Sequence, residues 1–485
     1  MSRLCLVLTG KTLNENRQQL VQYRKWIDMA EVRADLLDRN EWSDLNAFSA
    51  EFDLDFILTL RKVADGGNWA GDDQERESFF RMAINGNWAY WDLEDNARLP
   101  QLEREWLNKG RRLVVSFHDF HGVPPDLAER LSRAQGPAII VKAAVTVHGS
   151  ADFARFVNLT DLLSPGDHVV LAMGPYGTPS RVLAEKLGNL WTYASVTGLS
   201  PSLGHYDPIT LSTLYRFSRL TPQTKLLGII GNPVHHSKSP AIHNAGMEAT
   251  AYDGVYVPFL TDDLESFFLI AKKLGIQGFS VTIPFKEKIL PYLAQITPAV
   301  KAIGACNTVW KEADGWHGDN TDAQGFLAPL QELWGTDLTG KRTTVVGTGG
   351  AARSIVWALR NSGAEVLVLG RNASKAEGLA TELGATWGPL TPDSLALIST
   401  HDDLIVQTTN VGMGELEGQN PLDWYEFHGG EVAYDIIYVP ERTAFIQAAE
   451  VSGCRILLGK DMLLHQAIAQ FLRFTGMPYP ETLPF

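Results

Sequence analysis

Apolar and β-branched positions in the first part of the chain fall into short runs: Leu4–Leu8, Met29–Arg33, Phe56–Leu60, Trp88–Leu93, Leu113–Phe117, Ala138–Val141, His168–Ala172 and Trp191–Val196. Runs of this length and composition read as strands. Between them, as in Leu13–Tyr23 and Leu127–Ala134, apolar residues recur at helical spacing. Eight strands alternating with helices predict an α/β fold that begins with a (β/α)8 barrel over residues 1–219. Tyr206–Arg219 is expected to be the closing helix and Leu220–Thr224 a short linker. Catalytic groups in such barrels gather at the C-terminal ends of the strands.

A second βα alternation starts at Leu226, after which Gly231-Asn-Pro-Val-His-His-Ser-Lys-Ser-Pro240 places the hydroxyls of Ser237 and Ser239 at a strand-to-helix turn. Ser before Pro is a common helix cap; the same spacing also suits a polyhydroxylated acid. Residues 225–325 are expected to form one domain. Thr343-Thr-Val-Val then leads into Gly347, Gly349, Gly350 and Ala351, a strand, glycine turn and helix start. That order brings backbone amides and a helix N-terminus to a dinucleotide pyrophosphate. Residues 326–485 thus read as a Rossmann domain whose last helix returns to the substrate cleft. The next strand, Glu365–Leu369, is followed by Arg371 and Lys375. An acidic residue there would read the ribose of NAD, whereas these cations favour a 2′-phosphate and hence NADP(H).

Composition narrows the class. The 485 residues are 45% hydrophobic and 20% charged, with a net charge of −14, which argues against a nucleic-acid or anionic-membrane surface. Cys5, Cys306 and Cys454 lie far apart with no CxxC, as expected in a reducing compartment. No run approaches the length of a membrane helix, and the apolar run at the N-terminus is too short for a signal peptide. A cytoplasmic enzyme acting on small molecules is expected.

Polar residues cluster at the expected strand ends: Glu31, Arg33, Arg61, Asp92, Glu94, His118 and Lys142. Lys142 follows Ala-Ile-Ile-Val and precedes Ala-Ala-Val, so its ammonium is expected among apolar neighbours, where desolvation makes a nucleophilic amine. His118 would serve it as acid and base near neutral pH. Glu31-Val-Arg-Ala-Asp35, Thr59-Leu-Arg61 with Gly66-Gly67, Ser116-Phe-His-Asp119, Val141-Lys142 and Gly177-Thr-Pro-Ser-Arg181 together resemble type I 3-dehydroquinate dehydratase. The resemblance implies Lys142 as the Schiff-base lysine, His118 as general base and acid, and Arg181 on the substrate carboxylate. Glu31, Arg33 and Arg61 would shape the pocket for its hydroxyls. Asp65 stands where the family usually has Glu, and Ser200-Pro-Ser-Leu-Gly-His205 departs from the family's lid loop.

The Ser237/Ser239 motif is followed by Val281-Thr-Ile-Pro-Phe-Lys286, Gly304-Ala-Cys-Asn-Thr308, Gly318-Asp-Asn-Thr-Asp322 and Met462-Leu-Leu-His-Gln466. In this order they resemble shikimate dehydrogenase from about Lys225 onward. The resemblance implies a catalytic pair, Lys286 and Asp322. Ser237, Ser239, Thr282, Asn307, Tyr438 and Gln466 would bind substrate, and Thr409, Ile436, Gly459 and Met462 would line the nicotinamide side. Gly370 stands in place of the family's asparagine. His235, His236, His243 and His465 are read as structural or solvated, and no metal is expected.

Both resemblances point to sequential steps: dehydration of 3-dehydroquinate to 3-dehydroshikimate, then NADPH-dependent reduction to shikimate. One alternative keeps a single half active with the other as scaffold. Another is a quinate/shikimate oxidoreductase using NAD. A class I aldolase barrel would share the lysine but not the Glu31, Arg33 and Arg181 motifs.

Overall fold

A computed structural model describes residues 1–196 and 204–481, and the chain divides into two compact units. The first comprises residues 1–244 and 253–276, the second residues 245–252 and 277–485.

In the first unit, β1 (Arg3–Leu8), β2 (Met29–Arg33), β3 (Asp55–Thr59), β4 (Tyr90–Glu94), β5 (Arg112–Asp119), β6 (Ile139–Thr146), β7 (His168–Met173) and β8 (Trp191–Ala194) form one sheet. Their order is β7-β6-β5-β4-β3-β2-β1-β8, every neighbouring pair being parallel. The seam between β7 and β8 is bridged by Asn189, whose side chain accepts from Val170 N–H at 2.7 Å and donates to Val170 C=O at 2.9 Å. Leu190 N–H adds a bond to His168 C=O at 2.9 Å. The barrel expectation is thus met, with both faces of the strands buried as parallel sheets require. Cys5, Met29, Ile57, Val114, Ile140, Val169 and Trp191 pack together in its core.

Two local expectations are corrected. β5 ends at Asp119, one residue past His118, which therefore stands at its strand end, but β6 runs on through Lys142 to Thr146, so Lys142 lies within its strand rather than at its end. Ala143, Ala144 and Val145 continue the ladder because they pair with β5 and β7 on both sides. The closing helix spans only Pro208–Thr213, followed by a single turn at Phe217–Arg219, since Arg216 takes a left-handed backbone at φ +51°. An α-helix cannot run through that conformation.

The same unit contains β9 (Lys225–Gly231) paired in parallel with β10 (Gly254–Leu260), and the helix Leu264–Leu274 capped by Asp263. In the second unit β11 (Ile276–Val281) and β13 (Thr308–Glu312) are antiparallel, as are β13 and β14 (Gly315–Asp319); β12 (Gln295–Ile296) runs parallel to β14. Beyond them β15 (Arg342–Val346), β16 (Glu365–Gly370), β17 (Thr386–Pro389), β18 (Leu404–Gln407), β19 (Val432–Asp435) and β20 (Arg455–Leu458) make a parallel sheet. Its order, β17-β16-β15-β18-β19-β20, reverses direction between β15 and β18, the crevice where doubly wound sheets bind ligands. The helices Asp322–Trp334 and Gly459–Thr475 approach so closely that a Cβ on Gly325 would lie 2.6 Å from Gln466 Cβ. Among the described residues no helix is long and apolar enough to cross a membrane.

Candidate active sites

Lys142, at the middle of β6, is buried, but not among apolar neighbours as expected. Its Nζ lies 2.8 Å from Asp92 Oδ2 and 3.6 Å from Glu31 Oε1, 4.4 Å from the centre of the Tyr193 ring. The reason is register: Lys142 pairs with Ser116 on β5, and Ser116 with Glu94 on β4, so their side chains converge in the barrel. Arg61 ties the cluster together, meeting Asp92 at 2.8 Å, Glu94 at 3.1 Å and Ser116 Oγ at 2.6 Å. Ser116 in turn donates to Asp92 at 2.6 Å. Burial alone would raise the Asp92 carboxyl, but the charges of Arg61 and Lys142 overcome it and hold it well below the usual range. Glu31 accepts from Thr59 Oγ1 at 2.5 Å, and Arg33 is held by Asp35 through two bonds of 2.7 and 2.8 Å. Strand-end reasoning names Asp92 without a partner, Ser116 enters only within a motif and Tyr193 is left out; the pairing across strands brings all three to the Lys142 cluster.

His118 is buried on β5, and its Nδ1 has no hydrogen-bond partner among the described residues. The nearest carboxylate oxygen, Asp65 Oδ1, is 3.7 Å away, beyond hydrogen-bond reach. Burial, reinforced by the charges of Arg61 and Lys142, pushes the imidazole well below its ordinary 6.5. A depressed value keeps the ring neutral, and so able to take a proton, as the pH falls through 6.5. Turnover in a barrel that uses His118 as its base is therefore expected to persist at pH 6.5, where an unperturbed imidazole would be half protonated. A pH profile of kcat with its acid-side midpoint at or above 6.5 would contradict this.

Arg181 is buried in the single-turn helix Pro179–Val182, and its Nε has no hydrogen-bond partner. No ion pair joins it among the described residues, and burial lowers it to about 10. A buried guanidinium without a counter-charge is costly, so the position suits an incoming anion. His205 is close enough that the Arg181 charge, after burial, lowers its imidazole; its Nδ1 lies 3.0 Å from Ser195 Oγ. Residues 200–203 of the expected lid lie outside the described residues.

In the second unit, Lys286 Nζ donates to Asp322 Oδ2 at 2.5 Å. Asp322 opens its helix, and its Oδ1 accepts from Asn307 Nδ2 at 2.8 Å. Asn307 also reaches Thr321 Oγ1 at 3.0 Å and Gln466 Oε1 at 3.4 Å, so Lys286, Asn307, Asp322 and Gln466 form one connected group. Thr282 C=O accepts from Phe285 N–H at 2.9 Å in the turn that carries Lys286. Tyr438 is 37% exposed and shares no hydrogen bond with the group among the described residues. Thr321 and Gln470, which donates to Asn307 C=O at 3.1 Å, are structural supports not anticipated. In the first unit Ser237 Oγ accepts from Ser239 N–H at 3.2 Å, and Ser239 is the first residue of the helix Ser239–Ala249.

A cleft of about 580 Å³ opens at the β15/β18 switch point, lined by Gly347, Thr348, Gly349, Gly370, Arg371, Asn372, Lys375, Leu390, Thr408, Thr409 and Asn410. Gly347 has φ +124°, and a Cβ there would meet Thr408 Oγ1 at 2.4 Å, so only glycine fits. Gly350 and Ala351 begin the helix whose N-terminus faces a pyrophosphate in this motif. A Cβ on Gly370 would lie 2.7 Å from Thr348 Cγ2, so a larger residue there needs the Thr348 side chain to shift. Asn372 caps the helix Ala373–Leu383 by accepting from Lys375 N–H at 3.0 Å. Arg371 and Lys375 are both exposed beside it. Thr408 and Asn410 stand in the Thr-Thr-Asn run; nothing local in the sequence singles out Leu390. Gly459, Ile436 and Met462 are not among the residues that line this cleft, and a Cβ on Gly459 would sit 2.4 Å from Ile436 O. The donors present fit a dinucleotide, and no group of His, Cys, Asp and Glu suited to a metal occurs among the described residues.

These arrangements agree with comparisons to known proteins. The family model for type I 3-dehydroquinase matches residues 4–222, that for the shikimate dehydrogenase substrate binding domain residues 229–309, and that for shikimate / quinate 5-dehydrogenase residues 330–412. A chloroplastic bifunctional 3-dehydroquinate dehydratase/shikimate dehydrogenase of Arabidopsis thaliana is 32% identical over 483 residues, 94% of this chain and 79% of that protein. A shikimate dehydrogenase (NADP(+)) of Nostoc is 40% identical over 265 residues, 52% of this chain and 90% of the other. The crystal structure of shikimate dehydrogenase from Aquifex aeolicus shares 34% identity at a TM-score of 0.50, covering 54% of this chain and 96% of that one. With a buried lysine in its barrel, a lysine–aspartate pair and a dinucleotide-sized cleft in its second half, and a likeness to the Arabidopsis protein that spans 94% of its length, the chain belongs to the bifunctional 3-dehydroquinate dehydratase/shikimate dehydrogenase family.

Proposed function

We propose that Lys142 and His118 carry the dehydration of 3-dehydroquinate, and that Lys286 and Asp322 carry the reduction of 3-dehydroshikimate. The observation that supports this most directly is the buried Arg181, which has no ion pair among the described residues, in a barrel that also buries Lys142. Arg181 pairs with the substrate carboxylate through its planar fork. Lys142 condenses with the ketone, releasing water and forming an imine. The neutral His118 takes the proton from the adjacent carbon, and the electron pair expels the β-hydroxyl, to which His118 returns the proton. Hydrolysis of the imine then frees the enone. Glu31, Arg33 and Arg61 orient the substrate's hydroxyls, and Asp92 holds the lysine.

NADPH, when bound in the cleft of the second unit, supplies the hydride that reduces the ketone. Lys286 delivers the proton to the nascent alkoxide and is recharged beside Asp322. Ser237, Ser239, Thr282, Asn307, Tyr438 and Gln466 hold the carboxylate and hydroxyls; Thr409, Ile436, Gly459 and Met462 border the nicotinamide. In this reading residues 1–219 are the dehydratase domain, 225–325 the substrate-binding domain and 326–485 the Rossmann domain. Three free, buried cysteines fit a cytoplasmic setting.

Given 3-dehydroquinate alone, the protein should accumulate an enone. With NADPH added, it should form shikimate with matching NADPH loss. Enone without reduction, or reduction of added 3-dehydroshikimate without dehydration, would leave one half inactive. Cofactor choice is read at Arg371, whose charge-assisted bond to a 2′-phosphate contributes about 1.5–3 kcal/mol, a tenfold or greater preference for NADPH. Arg371→Ala should raise the KM for NADPH sharply and leave that for NADH nearly unchanged. Equal kcat/KM for NADH and NADPH in the unaltered protein would remove the argument.

A further inference from the structure

The barrel helix Asp73–Ala83 buries Arg76, Phe79, Phe80 and Ala83 on one face, the spacing of an apolar stripe with a guanidinium at its first position. Arg76 is fully buried, and its guanidinium lies 5.5 Å from the centre of the Phe80 ring. One terminal nitrogen donates to Ala97 C=O and the other to Glu94 Oε2. A charge on a buried, otherwise apolar face is costly unless it is paired, so its one carboxylate partner matters.

That partner is shared. Glu94 closes β4, and its other oxygen, Oε1, accepts from Arg61 Nη1 at 3.1 Å and from Lys62 N–H at 3.2 Å. Arg61 Nη2 in turn lies 2.8 Å from Asp92 Oδ2, and that same oxygen lies 2.8 Å from Lys142 Nζ. A line of alternating charge therefore runs from Arg76 through Glu94, Arg61 and Asp92 to Lys142. With Glu31, 4.0 Å from Arg61 and 3.6 Å from Lys142, the cluster holds three cations and three carboxylates. Arg76 alone of the six stands on a helix; the others lie on strands or, for Arg61, two residues past β3.

We propose that Arg76 is a positioning residue for the dehydratase: by neutralising one side of Glu94 it leaves Arg61 to hold Asp92, the carboxylate that anchors Lys142. The proposal rests on Lys142 being the nucleophile. Without Arg76, Glu94 is a buried carboxylate whose remaining cation among the described residues is Arg61. Arg61 is then drawn toward Glu94 and away from Asp92, because an uncompensated buried charge takes whatever partner is in reach. Asp92, left with Lys142 alone, holds the ammonium more tightly. The amine has to leave that pair before it attacks a ketone, so the loss falls on kcat.

The experiment measures dehydration of 3-dehydroquinate by the full chain carrying Arg76→Gln, Arg76→Lys, or Arg76→Gln with Glu94→Gln, with Lys142→Ala beside them and thermal unfolding of each. Arg76→Gln should lower kcat about tenfold with KM held within about threefold, and Arg76→Lys, which keeps the charge, should stay within about threefold in kcat. The double variant restores equal numbers of cations and carboxylates, and the new amide's oxygen can still accept from Arg61 and Lys62. Its kcat should therefore recover to within about threefold of the unaltered protein, although it carries one more change than Arg76→Gln. An unchanged kcat in folded Arg76→Gln overturns the proposal. So does a double variant no faster than Arg76→Gln, or an Arg76→Lys as slow as Arg76→Gln, since either makes Arg76 a packing residue whose charge is not read at Lys142. If Arg76→Gln does not fold, the double variant decides: kcat within about threefold upholds the proposal and a tenfold loss overturns it. Dehydration that persists in Lys142→Ala overturns the reading of Lys142 itself, and the proposal with it.

Discussion

Lys142→Ala is expected to abolish dehydration of 3-dehydroquinate and to leave oxidation of shikimate within about twofold of the unaltered protein, since the two chemistries use separate residue sets. No neighbouring amine can take over: Arg61 is locked between Asp92 and Glu94 and is not a nucleophile. Loss of the lysine removes one counter-charge from Asp92, but Arg61 remains at 2.8 Å, so the carboxylate is not left bare and the barrel should still fold. This matters because removing one partner of a buried pair typically costs about 3–5 kcal/mol when nothing replaces it. Thermal unfolding of the variant checks that condition. The positive counterpart uses the unaltered enzyme: borohydride added with 3-dehydroquinate should reduce the imine and leave a mass adduct on the peptide containing Lys142. An inactivated enzyme whose Lys142 peptide is unmodified would exclude the covalent route.

Lys286→Ala should lower kcat for 3-dehydroshikimate reduction by about 10²–10⁴-fold, the range of a general acid, with a smaller change in KM. The argument is geometric. Lys286 sits 2.5 Å from Asp322, which is itself fixed by Asn307 at 2.8 Å, so the ammonium is held in one place rather than ranging over the surface. Asp322→Asn keeps the shape but removes the charge that holds the ammonium, and should cost kcat less than Lys286→Ala does. Dehydration by the same variants should be unaltered. If Lys286→Ala raised KM alone, the lysine would bind substrate and the proton would come from another group.

The motifs that could be read along the chain were those whose chemistry is local. A glycine turn between a strand and a helix is a run of adjacent residues, and so is each short motif behind the barrel resemblance, such as Ser116-Phe-His-Asp119. Gly347 shows why: its φ of +124° admits glycine alone, so the backbone requirement is written in the residue itself. Lys142 was legible as a residue but not in its surroundings. Its flanking residues are apolar, whereas its partners Asp92 and Glu31 come from β4 and β2, and no inspection of residues 138–145 reveals them. The broken closing helix at Arg216 likewise has no sequence signal, because arginine is an ordinary helix former.

The sequence by itself determined the order of strands and helices and the barrel followed by a Rossmann portion, because apolar periodicity and turn chemistry depend on residues a few positions apart. Only the tertiary structure decided the charge around the candidate site residues. Among the described residues it left Arg181 without a counter-ion, and it placed the Asp65 carboxylate 3.7 Å from His118 and joined Asn307 to Asp322 and Gln466. It also set Asp262 against Ser150, 112 residues away in the chain. Such pairings follow from strand register and helix packing, in which residues distant in sequence compete for the same buried space, and a buried charge takes its properties from whichever neighbours win it.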